Sequence, residues 1–192
     1  MNVSELLNSG SKTLKQSKIK THQLDSELVL SSLLKKQREN LLINSNEEVS
    51  KNIIYNFEKL IVRRAKREPL AYILKRKEFW SKDFFVDRST LIPRPETELL
   101  CESVINIFKN KNLFILDIGT GSGCILLSIL SEIKGGKGIG VDISRKAIEV
   151  AKKNSNKLGL NNRVKFLNKP LEDIYGYKFD LIVSNPPYIK TS

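Results

Sequence analysis

The fold is decided by the stretch Leu113-Phe114-Ile115-Leu116-Asp117-Ile118-Gly119-Thr120-Gly121-Ser122-Gly123, an apolar run that ends in an acid and a glycine-rich loop. A continuous apolar run is typical of a strand that is covered on both faces of a parallel sheet. Further elements alternate after it: an apolar helix at 123–133, strands at 139–141, 164–167 and 180–184, and an amphipathic helix at 145–157 behind Ser144 as N-cap. Such alternation implies right-handed crossovers, so the sequence predicts an α/β fold with a parallel sheet.

The first 68 residues carry apolar side chains at helical spacing and predict a small helical bundle. The three stripes are Val3, Leu6, Leu7 and Leu14; Leu24, Leu28, Leu30, Leu33 and Leu34, with Thr21 as N-cap; and Ile53, Ile54, Phe57, Leu60, Ile61 and Arg64. Pro69 ends the last helix because proline disfavours helical geometry in the residue before it. Short strands are predicted at 72–74, 78–80 and 84–86, and a helix at 96–110. We therefore expect a helical domain (1–68), a β-hairpin connector (69–95) and a sheet-containing domain (96–192).

Composition excludes several classes of protein. The chain has 192 residues, 40% hydrophobic and 28% charged, which is a globular composition. It has no run of about 18 apolar residues that would predict a membrane-spanning helix, and its N-terminus lacks the apolar segment of a secretory signal. Two cysteines, Cys101 and Cys124, make no disulfide framework, and a single histidine, His22, excludes a histidine-rich metal site. We expect a cytoplasmic protein with no metal and no membrane partner.

The charge of the chain is strongly positive. Lys and Arg number 33 against 21 Asp and Glu, a formal net charge of +12. The excess is spread along the chain, with one tight cluster at Arg63, Arg64, Lys66 and Arg67. A dispersed excess predicts attraction to anionic partners in general, and it is equally the mark of a lysine-favouring background composition. We expect no specific nucleic-acid binding from it.

The first candidate site is the loop from Asp117 to Gly123, comprising Asp117, Gly119, Thr120, Gly121, Ser122 and Gly123. Glycines allow a tight turn and let a ligand approach bare backbone. The fingerprint of dinucleotide-binding loops has glycine or alanine at its third position, where this chain has Cys124. In addition, the carboxylate of Asp117 suits a ligand with a positive amino group better than it suits a pyrophosphate. S-adenosylmethionine has that amino group and no phosphate. Cys124 is interpreted as a packed helix residue and not as a nucleophile.

The second candidate is Asp142, at the end of the second predicted strand. An acid about 20 residues beyond a glycine-rich loop can accept hydrogen bonds from both hydroxyls of a ribose. The alternative is an acid that is favoured near a helix N-terminus by the helix dipole.

The third candidate is Asn185-Pro186-Pro187-Tyr188, directly after the last predicted strand. The side-chain oxygen of Asn185 and the carbonyl of Pro186 together could accept both hydrogens of a planar NH₂ group, on which Tyr188 could stack. Holding both hydrogens helps a delocalised nitrogen to accept a methyl group. The alternative is a simple turn. Asp117, Asp142 and Asn185 all follow parallel strands, at the edge where open α/β sheets bind ligands.

These motifs together resemble class I S-adenosylmethionine-dependent methyltransferases that act on planar nitrogen, which have a Rossmann-like sheet. The Asn-Pro-Pro-Tyr motif alone also fits adenine-N6 methyltransferases of nucleic acids. The segment Leu91-Ile92-Pro93-Arg94-Pro95-Glu96-Thr97-Glu98 resembles the PRP(D/E)TE signature of the release-factor glutamine methyltransferases, the PrmC/HemK family. Residues 68–73 with 78–80 resemble the connector of that family, and residues 24–28 resemble its helical N-terminal domain.

The resemblance implies methylation of N5 of the glutamine in the Gly-Gly-Gln motif of peptide-chain release factors, with S-adenosylmethionine as cofactor. Asn185, Pro186 and Tyr188 would be catalytic and, with Pro187, would hold the glutamine amide. Residues 117 and 119–123, Asp142, Leu171 and Asn185 would contact the cofactor. Arg94 and Glu98 would lie near its mouth, and the helical domain would help to grip the release factor.

The sequence departs from the family pattern at three places. Lys75 stands where the family usually has glycine. The family usually has an acidic residue near the adenine, and its position corresponds here to Lys169 or Pro170. Leu171 would then pack against the adenine ring. The family's chain continues past the Asn-Pro-Pro-Tyr motif, so we expect an incomplete sheet with an apolar edge strand here. Two alternatives therefore stay open: an adenine-N6 nucleic-acid methyltransferase, and a truncated binding protein without activity.

Overall fold

The computed structural model describes residues 1–186, and the chain divides into two compact units, residues 1–74 and 75–192. The first unit is entirely helical. Its helices are α1 (Val3–Gln16), α2 (His22–Leu34), α3 (Arg38–Ile43), α4 (Lys51–Ala65) and α5 (Leu70–Leu74). Helix α1 begins with a capping box, in which Asn2 accepts from the Glu5 N–H and Glu5 accepts from the Asn2 N–H. The predicted helical bundle is confirmed.

One predicted apolar stripe is wrong in detail. Helix α2 turns Asp25 and Ser26 inward, whereas Leu24 is 40% exposed. Asp25 is paired with Arg64 of α4 at 2.7 Å, and the Ser26 hydroxyl donates to the Leu7 carbonyl at 3.0 Å. Both polar groups are tolerated inside because each has a partner. Thr21 precedes α2 as predicted, but its side chain makes no capping bond.

The predicted strand at 72–74 is also wrong, because these residues belong to α5. The Pro69 carbonyl accepts from the N–H groups of Tyr72 and Ile73, so the chain turns into a helix directly after the proline. The predicted hairpin is confirmed as β1 (Lys77–Phe79) paired antiparallel with β2 (Lys82–Phe84). Lys75 has a φ of +54°, a left-handed conformation that glycine adopts without strain.

The second unit is built on a parallel sheet. After a 3₁₀ turn (Pro95–Thr97) come α6 (Glu98–Phe108), β3 (Phe114–Ile118), α7 (Cys124–Glu132), β4 (Lys137–Asp142), α8 (Arg145–Lys157), β5 (Val164–Asn168), a second 3₁₀ turn (Leu171–Asp173) and β6 (Leu181–Ser184). The strand order is β5-β4-β3-β6, and all three pairings are parallel. The predicted α/β fold with a Rossmann-like parallel sheet is confirmed. Chain order reverses between β3 and β6, which is where such sheets bind ligands.

The core of this unit lies between the sheet and its helices. Helix α7 is buried on all sides from Cys124 to Leu130, as its uniformly apolar sequence predicts. Burial raises the pKa of both thiols, Cys101 and Cys124, to about 12, which makes them poor nucleophiles. Among the helices of residues 1–186, none combines the length and apolar character needed to cross a membrane.

Candidate active site

The glycine-rich loop begins at the carboxyl end of β3 and leads into α7. Its turn is closed by bonds from the Thr120 N–H to the Val141 carbonyl at 2.9 Å and from the Gly123 N–H to the Thr120 carbonyl at 2.8 Å. Gly119 and Gly121 have φ values of +68° and +54°, which explains why glycine is required. A Cβ at Gly119 would meet no atom within 4 Å. The backbone therefore faces open space, as a loop that receives a ligand requires.

Strand β4 runs close behind the loop because it carries glycine there. A Cβ at Gly140 would lie 2.7 Å from the Phe166 ring and 2.8 Å from Thr120 Oγ1. Any side chain would push Thr120 and the loop away from the sheet.

Asp117 lies beneath this loop and is only 1% exposed. Its Oδ2 accepts from the Thr120 hydroxyl at 2.6 Å, whereas Oδ1 has no hydrogen-bond partner within residues 1–186. Burial, reinforced by the nearby charge of Asp142, raises the pKa of Asp117 to about 7. A buried carboxylate oxygen without a donor is costly, so this site favours a ligand or water that supplies one.

Asp142 is the last residue of β4 and ties the loop to the start of α8. Its Oδ2 accepts from the Gly121 N–H at 3.0 Å, and its Oδ1 accepts from the Ser144 N–H at 2.8 Å. The Ser144 bond matches the predicted alternative of a helix N-terminal acid. Each carboxylate oxygen keeps a second lone pair, so these bonds leave room for the predicted contact with ribose hydroxyls.

Asn185 comes to the same edge because β6 pairs with β3. The register aligns Ser184 with Ile118, so Asn185 and Gly119 are the next residues on neighbouring strands. Asn185 Nδ2 donates to Thr97 Oγ1 at 3.1 Å, and Pro186 is exposed. The structure thus brings Asp117, the loop, Asp142 and Asn185 together. The predictions for Pro187 and Tyr188 fall outside the described residues.

Two apolar side chains are exposed in the segments that follow β4 and β5, Ile143 directly after β4 and Leu171 in the second 3₁₀ turn. Leu171 is 46% exposed and Ile143 is 81% exposed. The side chain of Asn168 donates to the carbonyls of Asp142 and Ile143 at 2.9 and 2.8 Å and fixes the chain there. Lys169 and Pro170 are exposed and supply no carboxylate.

Sequence reasoning missed two polar residues that organise the site. Thr97 accepts a hydrogen bond from Asn185. In the sequence, only the position of Thr97 within the signature pointed to this residue. Asn154 of α8 is fully buried and bonds both the glycine-rich loop and the chain after β2. The sequence did indicate that Asn154 is buried, because this residue falls on the apolar face of α8 that contains Ile148 and Ala151. Glu98 accepts from the Trp80 N–H at 2.8 Å and so binds the hairpin turn.

Comparison with known proteins assigns both units. Residues 5–74 match the model of the PrmC N-terminal domain, and residues 109–189 match a methyltransferase domain. A release factor glutamine methyltransferase of Buchnera aphidicola subsp. Schizaphis graminum is 40% identical over 189 residues, which cover 98% of this chain and 68% of the relative. The chain belongs to the release factor glutamine methyltransferase family. This confirms the resemblance drawn from the signature and the Asn-Pro-Pro-Tyr motif.

Other similarities are more distant or cover less of the relative. A bifunctional methyltransferase of Rickettsia typhi is 38% identical over 210 residues, and the chain spans 99% of its own length but 40% of that protein. A solved S-adenosylmethionine-dependent methyltransferase from Thiobacillus denitrificans, in complex with S-adenosyl-L-homocysteine, is 26% identical with a TM-score of 0.41, covering 47% of this chain and 36% of that one.

Proposed function

We propose that the chain binds S-adenosylmethionine at the loop 119–123 and methylates the side-chain amide of a glutamine in a peptide-chain release factor. The observation that carries the proposal is the placement of Asn185 beside Gly119, where β6 and β3 lie side by side. This placement puts a side chain that can accept hydrogen bonds from an amide next to a loop that is open to a ligand. The site lies where the strand order reverses.

The charge of the site supports this cofactor. Two carboxylates, Asp117 and Asp142, flank the loop, and the charge of Asp142 helps to raise the pKa of Asp117. Such a site attracts the ammonium and sulfonium groups of S-adenosylmethionine and repels a pyrophosphate. Oδ1 of Asp117 has unused acceptor capacity for the amino group or for a water that bridges to it. Asp142 would hold the ribose, and Ile143 and Leu171 would border the adenine.

When bound, S-adenosylmethionine supplies a methyl group on a positively charged sulfur. The residues of the chain prepare the nitrogen that accepts it. Asn185 Oδ1 and the Pro186 carbonyl accept the two amide hydrogens, which orients the lone pair of the nitrogen and favours its becoming tetrahedral. The nitrogen would exchange one of its two hydrogens for the methyl group, and that hydrogen would pass to solvent as a proton, so the amide stays neutral. Tyr188 would stack on the amide plane.

The protein substrate is inferred from the family. The PrmC N-terminal domain match covers the helical unit, which would bind the body of the release factor. The target would be the glutamine of the Gly-Gly-Gln motif, modified at N5. A glutamine side chain has the planar NH₂ group that the pair of acceptors at Asn185 and Pro186 can hold.

Mass spectrometry of a purified release factor tests the proposal. The release factor is incubated with the chain and S-adenosylmethionine, and a full-length relative serves as positive control. We expect a gain of one methyl group on the Gly-Gly-Gln glutamine, lost in Asn185→Ala and kept in Asn162→Ala, which alters an exposed asparagine before β5. An unmodified release factor, with the relative active, would contradict the proposal.

A further inference from the structure

Asn154 of α8 is a buried amide whose polar atoms all have partners. It is 0% exposed, and its Oδ1 accepts from the Phe85 N–H at 2.7 Å. Its Nδ2 donates to the Phe85 carbonyl and to the Ser122 carbonyl, both at 2.9 Å. Phe85 directly follows β2, and Ser122 lies in the glycine-rich loop. One side chain therefore joins two segments that are remote in sequence.

The bonds to Phe85 replace those of a neighbouring strand. A strand partner would offer one acceptor and one donor to the backbone of this residue, and the amide of Asn154 offers the same pair. Two further contacts hold the segment on α8: Lys157 Nζ donates to the Asp83 carbonyl at 2.7 Å, and Lys153 Nζ lies 3.4 Å from the centre of the Phe85 ring. The chain from 83 to 85 is thus anchored to α8 at several points.

The bond to Ser122 is not needed for that anchoring. A side chain that served only to hold Phe85 could leave its second N–H to water or be placed where it is exposed. Instead, the second hydrogen of Nδ2 reaches the loop that precedes α7, in a position without solvent. Breaking either end leaves a buried donor or acceptor unpaired, which is unfavourable. A displacement of the loop would therefore affect the bonds to Phe85, and a displacement of Phe85 would affect the bond to the loop.

We propose that Asn154 is a positioning residue that couples the glycine-rich loop to the chain after β2, so that a cofactor on the loop also orders Phe85. This inference rests on the proposed function, because it assumes that residues 119–123 receive S-adenosylmethionine. Through this coupling, binding of the cofactor would also order the connector that leads from the hairpin to the signature. By linkage, an ordered connector would also tighten cofactor binding.

Amide hydrogen exchange tests the coupling because the Phe85 N–H exchanges only when its bond to Asn154 opens. In the wild-type chain, we expect S-adenosylmethionine to slow exchange in peptides covering both 119–123 and Phe85. In Asn154→Ala, the slowing should persist in the loop and vanish at Phe85, with cofactor affinity about tenfold weaker by calorimetry. Asn156→Ala is the matched control, since Asn156 is exposed on the same helix.

Two further measurements keep failure interpretable. Asn154→Ser, which retains a hydroxyl in the buried position, replaces Asn154→Ala if the alanine variant does not fold. In the ligand-free chain, loss of the Asn154 amide should speed exchange at both Phe85 and the loop. Faster exchange at one segment alone would overturn the coupling, and so would bound cofactor with no change at Phe85. A wild-type chain that binds no S-adenosylmethionine would instead contradict the proposed function.

Discussion

Asn185 Nδ2 donates to Thr97 Oγ1 across 3.1 Å, although 88 residues separate the two in sequence. Thr97 belongs to the 3₁₀ turn of the signature, and Asn185 follows the last described strand. The signature therefore contributes to the site by holding the side chain that we propose to bind the substrate amide.

Thr97→Val should lower the rate of methyl transfer by about fivefold, because the shape is kept and a hydrogen bond of about 1 kcal/mol is lost. Cofactor affinity should not change, since Thr97 contacts Asn185 and not the loop. Thr97→Ser should retain most of the rate. Initial rates and calorimetry on the three proteins check this, and a valine variant as fast as wild type would remove Thr97 from the site.

Asp117 should make the stability of the ligand-free chain depend on pH. Burial raises its pKa from 3.8 to about 7 on folding, so the folded state binds the proton more tightly than the unfolded state. The resulting stabilisation is complete below about pH 4 and is lost as pH rises through about 7, at no more than about 1.4 kcal/mol per pH unit. Urea unfolding at pH 5 and pH 8 should show a smaller difference in Asp117→Asn. An equal difference in both proteins would assign the dependence to other groups.

Asp142→Ala should weaken cofactor binding by about 1–3 kcal/mol, because the Gly121 N–H and the ribose both lose an acceptor. A 2′-deoxy analogue of the cofactor separates the two contributions. If Asp142 binds the ribose, the penalty for the missing hydroxyl should be present in the wild-type chain and absent in Asp142→Ala. The same penalty in both proteins would leave Asp142 as an anchor of the loop only.

Lys75→Gly should stabilise the chain slightly. A left-handed φ destabilises the folded state by about 1–2 kcal/mol for a residue with a side chain, and glycine removes this strain. The greater flexibility of glycine in the unfolded chain offsets about 0.4–1 kcal/mol of that gain. We expect a net gain of about 0–1.6 kcal/mol in the free energy of unfolding measured in urea. Lys152→Gly, at an exposed position within α8, should instead lose about 1 kcal/mol. Destabilisation of similar size in both variants would disprove the strain at Lys75.

The elements that could be predicted are those whose pattern is local. Strands β3 to β6 and helix α8, with its Ser144 cap, follow from apolar runs and periodicity. The strand predicted at 72–74 was wrong because the Tyr-Ile-Leu sequence by itself favours a strand. The hydrogen bonds that the Pro69 carbonyl accepts from the N–H groups of Tyr72 and Ile73 make the segment helical instead. Asp25 was misplaced because its partner, Arg64, lies on another helix, and no local pattern marks such a pair.

The candidate site divides in the same way. Asp117, Asp142 and Asn185 could be placed together because each lies at the carboxyl end of a parallel strand, and parallel strands end at one edge. Thr97 could not, since its role depends on a hydrogen bond to an element far away in sequence. The position of Asn154 on the apolar face of α8 indicated burial, but nothing local indicated its partners Phe85 and Ser122. Motif reasoning finds the side chains that are proposed to contact a ligand more readily than the residues that hold these side chains in position.

The strand order also sets when the site can come into being. The strand β3 is the first of the sheet in the chain, yet its partner β6 is the last of the strands within residues 1–186, and 66 residues separate Ile118 from Ser184. As the ribosome releases the chain, the glycine-rich loop emerges well before Asn185 does. Strands that are so far apart in sequence pair slowly, because the entropy of closing a long loop is lost before the contacts between the strands stabilise the pair. We therefore expect the active centre to be among the last parts of this unit to assemble, so a chain with a competent site has already folded the sheet beneath it.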